Sequence, residues 1–402
     1  MDHEISRMAA ELDTLLDPAR ESVIRPATGY LKYPYLIPAG YYSQMWDWDA
    51  FFMGCHFMER GQPEYLKYWT LNLLAGVDEE GYTAGCATIE GPRPIFGRFS
   101  MKPFLSQGAW LASNAMEDFS WLEPHYTTLE KVLEYRDKTQ LDTEYGLYFW
   151  ESAMQSGADN NPALNYFQED ERSFVSCDAS AFQHRELKAQ ARLAEALGRP
   201  EDAAKWTKRA DDLREAMLKH LWCEEDQIFY NIDRDTKNWY RRVSYSSFIP
   251  LFDQIAPMDA GREMIQRYLV NPEHMKAEFG LRSLSLCDPD YNNRNIINPF
   301  SNWQGPVWPI ANYLYSIALH HYGFHDENKW LAKTLGELLI KDLHTHGTMH
   351  ENYHADTGAP LAPSDEFRTE DGKIVGFVSW NLCIQNILDG VTKERWMLLE
   401  IN

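Results

Sequence analysis

The chain has 402 residues, of which 44% are hydrophobic and 24% charged, as in an ordinary globular protein and unlike a disordered one. Its 38 Lys and Arg against 60 Asp and Glu give a net charge of −22, which disfavours nucleic acid and anionic membranes as partners. No run of Gly, Ser, Pro or like charge separates two halves, so we expect one domain over residues 1–402.

The six Cys are widely scattered, with no Cys-x-x-Cys pair, which predicts free thiols in a reducing compartment. The first residues lack the basic and apolar regions of a signal peptide, and no stretch approaches the roughly 18 apolar residues of a membrane span. We therefore expect a soluble, cytoplasmic protein with no membrane partner. Assembly into a homo-oligomer stays open.

Helical periodicity dominates the chain. Apolar residues between 187 and 197 recur at helical spacing, with Asp178 placed as the N-cap and Gly198 and Pro200 as the stop. The pattern repeats over residues 203–217, which predicts a helical hairpin. Further helices are expected near residues 3–16, 48–60, 64–76, 105–119, 125–138, 246–254, 259–270, 308–322, 326–342 and 376–389.

Alternation typical of strands is confined to residues 146–150 and 227–232, which we expect to form small hairpins. Helical pairs joined by alternately short and long loops suit an all-α fold, an (α/α)6 toroid barrel with short β-hairpins in the loops. The long loops of such a barrel gather at one end, and the chemical motifs below lie in those loops.

Two turn-rich segments each set one carboxylate among aromatic and amide side chains: residues 150–162 contain Asp159 and residues 349–358 contain Glu351. Glycoside hydrolysis by inversion needs an acid for the leaving oxygen and a base that activates water across the sugar. Asp159 and Glu351 are the candidate catalytic pair. Taken singly, each is equally typical of a solvated turn residue.

Aromatic residues, 14% of the chain, cluster in polar segments, where an indole can stack on a sugar and a carboxylate or amide can bind its hydroxyls. The alternatives are a helix start with core aromatics at residues 41–52 and a rigid helix start at residues 299–309. The substrate-binding candidates are Tyr42, Trp46, Trp48, Asp49, Gln107, Trp303, Gln304, Gly305, Trp308, Tyr353 and Trp380.

Four histidines, His344, His346, His350 and His354, lie close together in the sequence. Their spacing fits no fixed zinc pattern, so we expect no metal. Paired imidazoles also keep open a sugar 2-epimerase on the same barrel. Phosphate-binding glycine loops and dinucleotide-binding fingerprints are absent from the sequence, and we expect no cofactor.

Six different motifs follow one another along the chain: Trp48-Asp49-Ala50-Phe51-Phe52, then residues 151–162, 279–285, 303–314, 351–358 and 376–380. Together they resemble the clan of inverting α-glycosidases that contains glycoside hydrolase families 63 and 37, nearest its bacterial mannosylglycerate/glucosylglycerate hydrolase-like members. The first is similar to the clan's Trp-Asp-x-x-Phe segment and the second to its Glu-Ser-Gly-x-Asp-Asn-Ser-Pro acid motif. The third and fourth resemble its Tyr-Trp-Arg-Gly-Pro-x-Trp region, and the last two its base motif and closing helix.

The resemblance implies an (α/α)6 barrel, inversion of configuration, Asp159 as general acid, Glu351 as general base and no obligatory cofactor. The chain departs from the clan at two points. Residues 153–156 interrupt the acid motif, which leaves Glu151 as an alternative or shared acid. Gln304 stands where the clan often has Arg, so a charge near the sugar is lost.

We therefore expect an inverting, exo-acting α-glycosidase of the α-glucosidase type that hydrolyses a small α-glucoside or glucosyl conjugate. Asp159 should be protonated and Glu351 ionised, with their nearest oxygens roughly 6.5–9.5 Å apart. A non-catalytic sugar-binding protein is the alternative of another class. The aglycone and the choice between glucose and mannose stay open.

Overall fold

The computed structural model describes residues 3–39, 42–94, 97–164, 173–296, 301–362 and 376–401. Helices make up most of the regular structure there, and none of them is long and apolar enough to cross a membrane. The α-helices are α1 (His3–Leu15), α2 (Asp17–Val23), α3 (Asp47–Glu59), α4 (Glu64–Leu74), α5 (Leu105–Met116), α6 (Tyr126–Gln140), α7 (Ala153–Ser156), α8 (Cys177–Ala196), α9 (Pro200–His220), α10 (Tyr245–Phe252), α11 (Met258–Met264), α12 (Pro309–His321), α13 (His325–His346) and α14 (Leu382–Lys393).

The β-strands are only two or three residues long and pair antiparallel in sheets of two or three strands. Both segments predicted as strands lie in such hairpins, β7 pairing with β6 and β10 with β9. The strands are β1 (Ile24–Arg25), β2 (Tyr35–Leu36), β3 (Met45–Trp46), β4 (Cys86–Thr88), β5 (Gly91–Pro92), β6 (Leu141–Asp142), β7 (Leu147–Tyr148), β8 (Phe174–Val175), β9 (Trp222–Cys223), β10 (Ile228–Phe229), β11 (Asn231–Asp233), β12 (Trp239–Tyr240), β13 (Lys276–Ala277), β14 (Gly280–Leu281), β15 (Asn352–Tyr353) and β16 (Pro360–Ala362).

Six helices contact one another in a closed sequence: α3 packs on α5, α5 on α8, α8 on α10, α10 on α12, α12 on α14, and α14 returns to α3. These helices are buried on nearly all faces, because neighbours flank them on both sides and further helices cover them outside. Twelve of the thirteen residues of α3 and all eight of α10 are buried. Helix α3 accordingly carries apolar residues on every face, without the polar stripe of a surface helix.

Other helices pack outside this ring and bury one stripe. Helix α9 lies along α8 and buries Trp206, Ala210, Leu213 and Met217, which confirms the predicted helical hairpin. Gly198, at a φ of +70°, ends α8, and Pro200 begins α9, as predicted.

The predicted N-cap of α8 was wrong by two residues: Ser176 occupies that position and Asp178 lies buried in the first turn. The helix predicted over residues 376–389 begins with a 3-10 turn, Ser379–Asn381, before α14. Two short helices, α2 and α7, were not predicted. All six Cys are free thiols, and only Cys287 is exposed.

Candidate active site

A cavity of about 220 Å³ lies where α3, α12 and α14 begin. Its volume is that of roughly seven water molecules, which suits one sugar residue. The residues that line it are Pro38, Tyr42, Trp46, Trp48, Asp49, Lys102, Met154, Gly157, Asp159, Ser301, Trp303, Trp308, Glu351, Phe377 and Trp380.

Nine of the thirteen predicted site residues line this cavity, including both predicted catalytic carboxylates. They come from four regions far apart in the sequence, and the ring of helices brings these regions together. The nine are Tyr42, Trp46, Trp48, Asp49, Asp159, Trp303, Trp308, Glu351 and Trp380.

Asp159 follows α7, a single helical turn in which the N–H of Gln155 donates to the hydroxyl of the N-cap residue Ser152. The chain then passes directly beneath the indole of Trp48 at Gly157, where φ is +82° and a Cβ atom would lie 2.4 Å from the ring. Only glycine fits both the backbone angle and that contact. Gly157 thereby lets Asp159 reach the cavity.

Glu351 immediately precedes β15 and is held through its backbone. Its carbonyl accepts a hydrogen bond of 2.9 Å from the indole N–H of Trp380, and its N–H donates to the carbonyl of Ala362 on β16. The side chain is buried, with the residue only 3% exposed. A rigid backbone and a buried side chain give the carboxylate a fixed position in the cavity.

Ser301 contacts both carboxylates. Its backbone N–H donates to Oδ2 of Asp159 over 3.0 Å, and its hydroxyl donates to Oε2 of Glu351 over 3.3 Å. Because both bonds start from one residue, the two carboxylate oxygens lie within about 10 Å of each other. The pair therefore shares one site.

Four buried indoles form one wall of the cavity. Trp303 and Trp308 stack with ring centroids 4.2 Å apart and planes at 11°. Trp48 contacts Trp303 at 6.2 Å and Trp380 at 5.6 Å, and Trp308 contacts Trp380 at 5.6 Å. An aromatic wall of this kind offers apolar faces on which the C–H groups of a sugar ring can pack.

Asp49 supplies a third buried carboxylate, in the first turn of α3. Its Oδ1 accepts a hydrogen bond of 2.8 Å from the hydroxyl of Ser379. Burial raises the pKa of Asp49 to about 7, although the Ser379 hydroxyl and the charge of Lys102 oppose that rise. Asp49 is therefore placed to bind sugar hydroxyls in either protonation state.

The candidate pair also has raised pKa values. Burial raises the pKa of Asp159 to about 6, against the opposing effects of the Ser301 N–H and the charge of Lys102. Burial, together with the negative charges of Asp159 and Asp49, raises the pKa of Glu351 to about 8. Between these values the pair holds one proton, which is the state that acid and base catalysis by two carboxyls requires.

The order of these pKa values is the reverse of the predicted one. The charges of the two carboxyls interact, so near pH 7 the pair as a whole holds one proton. The physical reason for the reversed order is that a backbone N–H stabilises the charge of Asp159, whereas Glu351 faces two other carboxylates.

Two predicted binding residues lie behind the cavity, in the packing between helices and strands. The Gln107 amide donates to the carbonyls of Pro103 and Phe182, over 2.7 and 3.2 Å. Tyr353 is fully buried, and its hydroxyl donates to Asp342 over 2.8 Å. Neither side chain reaches the cavity. The predicted sugar contacts of Gln107 and Tyr353 are therefore corrected: both residues support the site from behind it.

Gln304 and Gly305 also lie outside the cavity lining. The Gln304 side chain donates to the carbonyl of Asn160 and accepts from Asn292, so it ties the Asp159 loop to the loop before Trp303. Gly305 has a φ of +154°, and a Cβ atom there would lie 2.3 Å from the carbonyl oxygen of Asn292. The sequence predicts both as sugar contacts because they lie next to Trp303.

Glu151, the alternative acid, is absent from the residues that line the cavity. Its carboxylate accepts hydrogen bonds from the amides of Gln140, at 2.9 Å, and Gln155, at 3.4 Å. The inserted residues 153–156 form α7 and turn the chain so that Asp159 faces the cavity. The structure thus favours Asp159 over Glu151.

The histidines lie apart from the cavity. Asp342, His346 and His350 place possible ligand atoms within 4.8 Å of one another, and the Asp342 carboxylate accepts from both imidazoles and from Tyr353. No imidazole is among the described residues that line the cavity, so the paired histidines of an epimerase site are not found there.

Sequence reasoning missed Lys102 and Ser301. Ser301 directly precedes the Asn302-Trp303 segment that was singled out, so a serine next to an aromatic motif was the available signal. Lys102 lies before Pro103 in a segment with no aromatic cluster, and its Nζ lies 3.2 Å from Oδ1 of Asp47. Only the fold brings it to the cavity.

The family model for the mannosylglycerate hydrolase MGH1-like glycoside hydrolase domain matches residues 42–368. The chain belongs to this family. As an MGH1-like glycoside hydrolase it is an enzyme that cleaves glycosidic bonds, and its resemblance to family 63 is confirmed.

Two solved structures share the fold of this MGH1-like glycoside hydrolase. The family 63 mannosylglycerate hydrolase from Thermus thermophilus, in complex with glucose, superposes with a TM-score of 0.70 at 17% identity, over 95% of this chain and 99% of that one. Neutral trehalase Nth1 from Saccharomyces cerevisiae gives 0.66 at 16% identity, over 92% and 76%. Both similarities concern the helical fold alone.

Curated relatives include enzymes that differ in size from the MGH1-like chain. The trehalase of Bombyx mori is 21% identical over 415 residues, which cover 89% of this chain and 69% of the trehalase. The mannosyl-oligosaccharide glucosidase GCS1 of Arabidopsis thaliana is 23% identical over 286 residues, 58% of this chain and 33% of the glucosidase.

Proposed function

We propose that this MGH1-like glycoside hydrolase is an inverting, exo-acting α-glycosidase of the α-glucosidase type, which hydrolyses a small α-glucoside or glucosyl conjugate. The observation that carries the proposal is the bridge through Ser301, whose backbone N–H and hydroxyl hold Asp159 and Glu351 in one cavity. A cavity with room for roughly one sugar ring suits cleavage of a terminal residue.

The proposed scaffold is an (α/α)6 barrel. The closed sequence of contacts among α3, α5, α8, α10, α12 and α14 supports six inner helices, with α4, α9 and α13 among the outer ones. In such a barrel the loops that precede the inner helices meet at one end. Trp48, Trp308 and Trp380 lie at the starts of α3, α12 and α14, consistent with that arrangement.

In the proposed reaction the sugar packs against the indoles of Trp48, Trp303, Trp308 and Trp380, with Asp49 binding its hydroxyls. Asp159 donates a proton to the glycosidic oxygen as the bond to the anomeric carbon breaks. A water molecule attacks that carbon from the opposite face and gives its proton to Glu351. The products are the free aglycone and the β-anomer of the sugar.

These roles require the shared proton on Asp159, although burial and neighbouring charges raise the pKa of Glu351 further than that of Asp159. Substrate supplies the physical means to move it. A glycosidic oxygen beside Asp159 accepts a hydrogen bond only from the protonated acid, and a water that donates to Glu351 stabilises the ionised base. We therefore propose that substrate binding places the shared proton on Asp159, with a water molecule carrying it between the two carboxyl groups.

The direct test is the anomer of the first product. Proton NMR during hydrolysis of an α-glucoside should show β-glucose first, followed by slow mutarotation. Inversion also needs roughly 6.5–9.5 Å between the nearest oxygens of Asp159 and Glu351, which the bridging bonds allow. If α-glucose appeared first, the enzyme would be retaining and the assigned roles would be wrong.

A further inference from the structure

The charges around the cavity are unbalanced. Asp49 and Glu351 are buried there and Asp159 is half-buried, and Lys102 is the one cationic side chain among the described residues that line the cavity. The whole chain carries a net charge of −22. An anionic substrate therefore meets an excess of negative charge both on approach and inside the site.

Lys102 is already neutralised by a carboxylate of its own. Its Nζ lies 3.2 Å from Oδ1 of Asp47, and its backbone N–H donates to Oδ2 of the same residue over 2.8 Å. The side chains of Lys102 and Asp47 are only 9% and 3% exposed. The ammonium group also lies 4.8 Å from the centre of the Trp48 ring. Buried ion pairs of this kind do not open readily to accept a new anion.

Lys102 lines this cavity and also a second, smaller recess. The positive charge of Lys102 lowers the pKa values of Asp159 and Asp49, so its ammonium group acts on the proposed acid. The second recess, of about 60 Å³, adjoins the cavity and shares three residues with it. The recess is lined by Trp46, Asp47, Gly85, Cys86, Phe99, Ser100, Lys102, Met154 and Gln155.

We infer that the natural substrate has a small, uncharged, hydroxyl-bearing aglycone and that a carboxylate aglycone is disfavoured. The inference rests on the proposed α-glycosidase function and names its substrate class. It separates this chain from the mannosylglycerate hydrolase after which its family is described, whose substrate carries a carboxylate.

The experiment compares two substrates that differ in one group, α-glucosylglycerol with a CH2OH group and α-glucosylglycerate with a carboxylate in its place. The mannosyl pair is measured in parallel. The kcat/KM of the full chain should be at least about tenfold higher for the glycerol conjugate, because a carboxylate about 8 Å from buried carboxylates is repelled by that much or more. Added salt should reduce the ratio of the two kcat/KM values, because it screens the repulsion outside the cavity. Equal or faster hydrolysis of the glycerate conjugate would overturn the inference and leave the glycosidase function intact.

Hydrolysis of α-glucosyl fluoride and α-mannosyl fluoride distinguishes a failure of the proposed glycosidase function from a failure of the inferred aglycone preference. The reason is that fluoride departs without an aglycone subsite. If neither fluoride nor any conjugate is hydrolysed, the proposed function itself fails. If a fluoride is hydrolysed and no conjugate is, each conjugate is tested as an inhibitor of that reaction. Tighter inhibition by the glycerol conjugate then supports the inference, and equal or tighter inhibition by the glycerate conjugate overturns it.

The variant Asp47→Asn tests the charge argument directly, since it frees Lys102 and keeps an amide oxygen for the N–H of Trp48. The substrate ratio should move toward the glycerate conjugate. Asp142→Asn is the matched control, because Asp142 is buried and pairs with Arg234 at 2.7 Å outside the cavity lining. An unchanged ratio in folded Asp47→Asn protein would contradict the proposed neutralisation of Lys102.

Discussion

The hydroxyl of Ser301 donates a hydrogen bond of 3.3 Å to Oε2 of Glu351. The same residue binds Asp159 through its backbone N–H. Side-chain and backbone bonds thus reach different carboxylates, so substitution of Ser301 can alter the environment of Glu351 without removing the bond to Asp159. This separation makes the two carboxyl groups experimentally distinguishable.

We expect Ser301→Ala to raise the pKa of Glu351, because it removes a hydrogen bond to the ionised form. The upper limit of the pH profile of kcat/KM should move to higher pH, while the lower limit stays in place. Ser301→Thr keeps a hydroxyl and serves as the control. A uniform loss of rate with both limits unchanged would indicate a purely structural role for Ser301.

Asp159→Asn and Glu351→Gln should each reduce turnover of a glucoside with an alcohol leaving group by about 10²–10⁴-fold, with the fold retained. α-Glucosyl fluoride then separates the roles. Fluoride departs without a proton, so the acid variant Asp159→Asn should retain much of its hydrolysis, whereas the base variant should not. Loss of fluoride hydrolysis in Asp159→Asn alone would mean that the two roles are exchanged.

The pH profile of kcat/KM should be bell-shaped, with limits near pH 6 and pH 8. Below the first value both Asp159 and Glu351 are protonated and no base is available, and above the second both are ionised and no acid is available. Initial rates at low substrate concentration, measured from about pH 4.5 to about pH 9.5, cover both limits. A single sigmoid would contradict a pair that shares one proton.

Glu351→Gln should stabilise the protein at high pH. The carboxyl of Glu351 has a pKa of about 8 when folded, against about 4.3 when unfolded, so the folded state binds the extra proton. Stability of the wild type therefore falls as pH rises from about 4 to about 8, and the variant escapes that loss. Thermal melting should give a higher Tm for the variant at about pH 8 and equal values at about pH 4. A constant difference at all pH values would contradict the raised pKa.

Trp308→Ala should weaken sugar binding as well as stability, because the indole both stacks on Trp303 and lines the cavity. Removal of a buried Trp costs about 3–5 kcal/mol of stability. Trp206→Ala is the matched control, since Trp206 is equally buried but lies on the outer helix α9. Melting and sugar titration of both variants distinguish a lost sugar contact from general destabilisation. If Trp206→Ala lost as much sugar affinity as Trp308→Ala, the loss in Trp308→Ala would be due to general destabilisation.

Much of the helical framework could be predicted from local sequence. The hairpin of α8 and α9 follows from apolar spacing, Gly198 and Pro200, because these are effects of neighbouring residues. Motif order also identified Asp159, Glu351 and the four indoles as residues of one site. The weakest boundary was that of α14, which was predicted over residues 376–389 and spans Leu382–Lys393 after a 3-10 turn.

The other features of the site depend on contacts between segments that are distant in the sequence. Gln304 and Gly305 adjoin Trp303 in sequence, yet they serve the loop around Asn160 and Asn292. The fold places Lys102 at the cavity, where it forms an ion pair with Asp47, 55 residues away. No local sequence pattern predicts this pair. The side of a loop that faces the cavity is set by packing, which sequence spacing does not encode.

The sequence by itself thus determined the composition of the site: two candidate catalytic carboxylates and an aromatic wall on a helical scaffold, since residue types and motif order are properties of the chain. Only the tertiary structure decided that the two carboxyls share one proton and how the one described cation of the cavity is neutralised. The physical reason is that pKa values and ion pairs depend on burial and on distances of a few ångströms between side chains hundreds of residues apart.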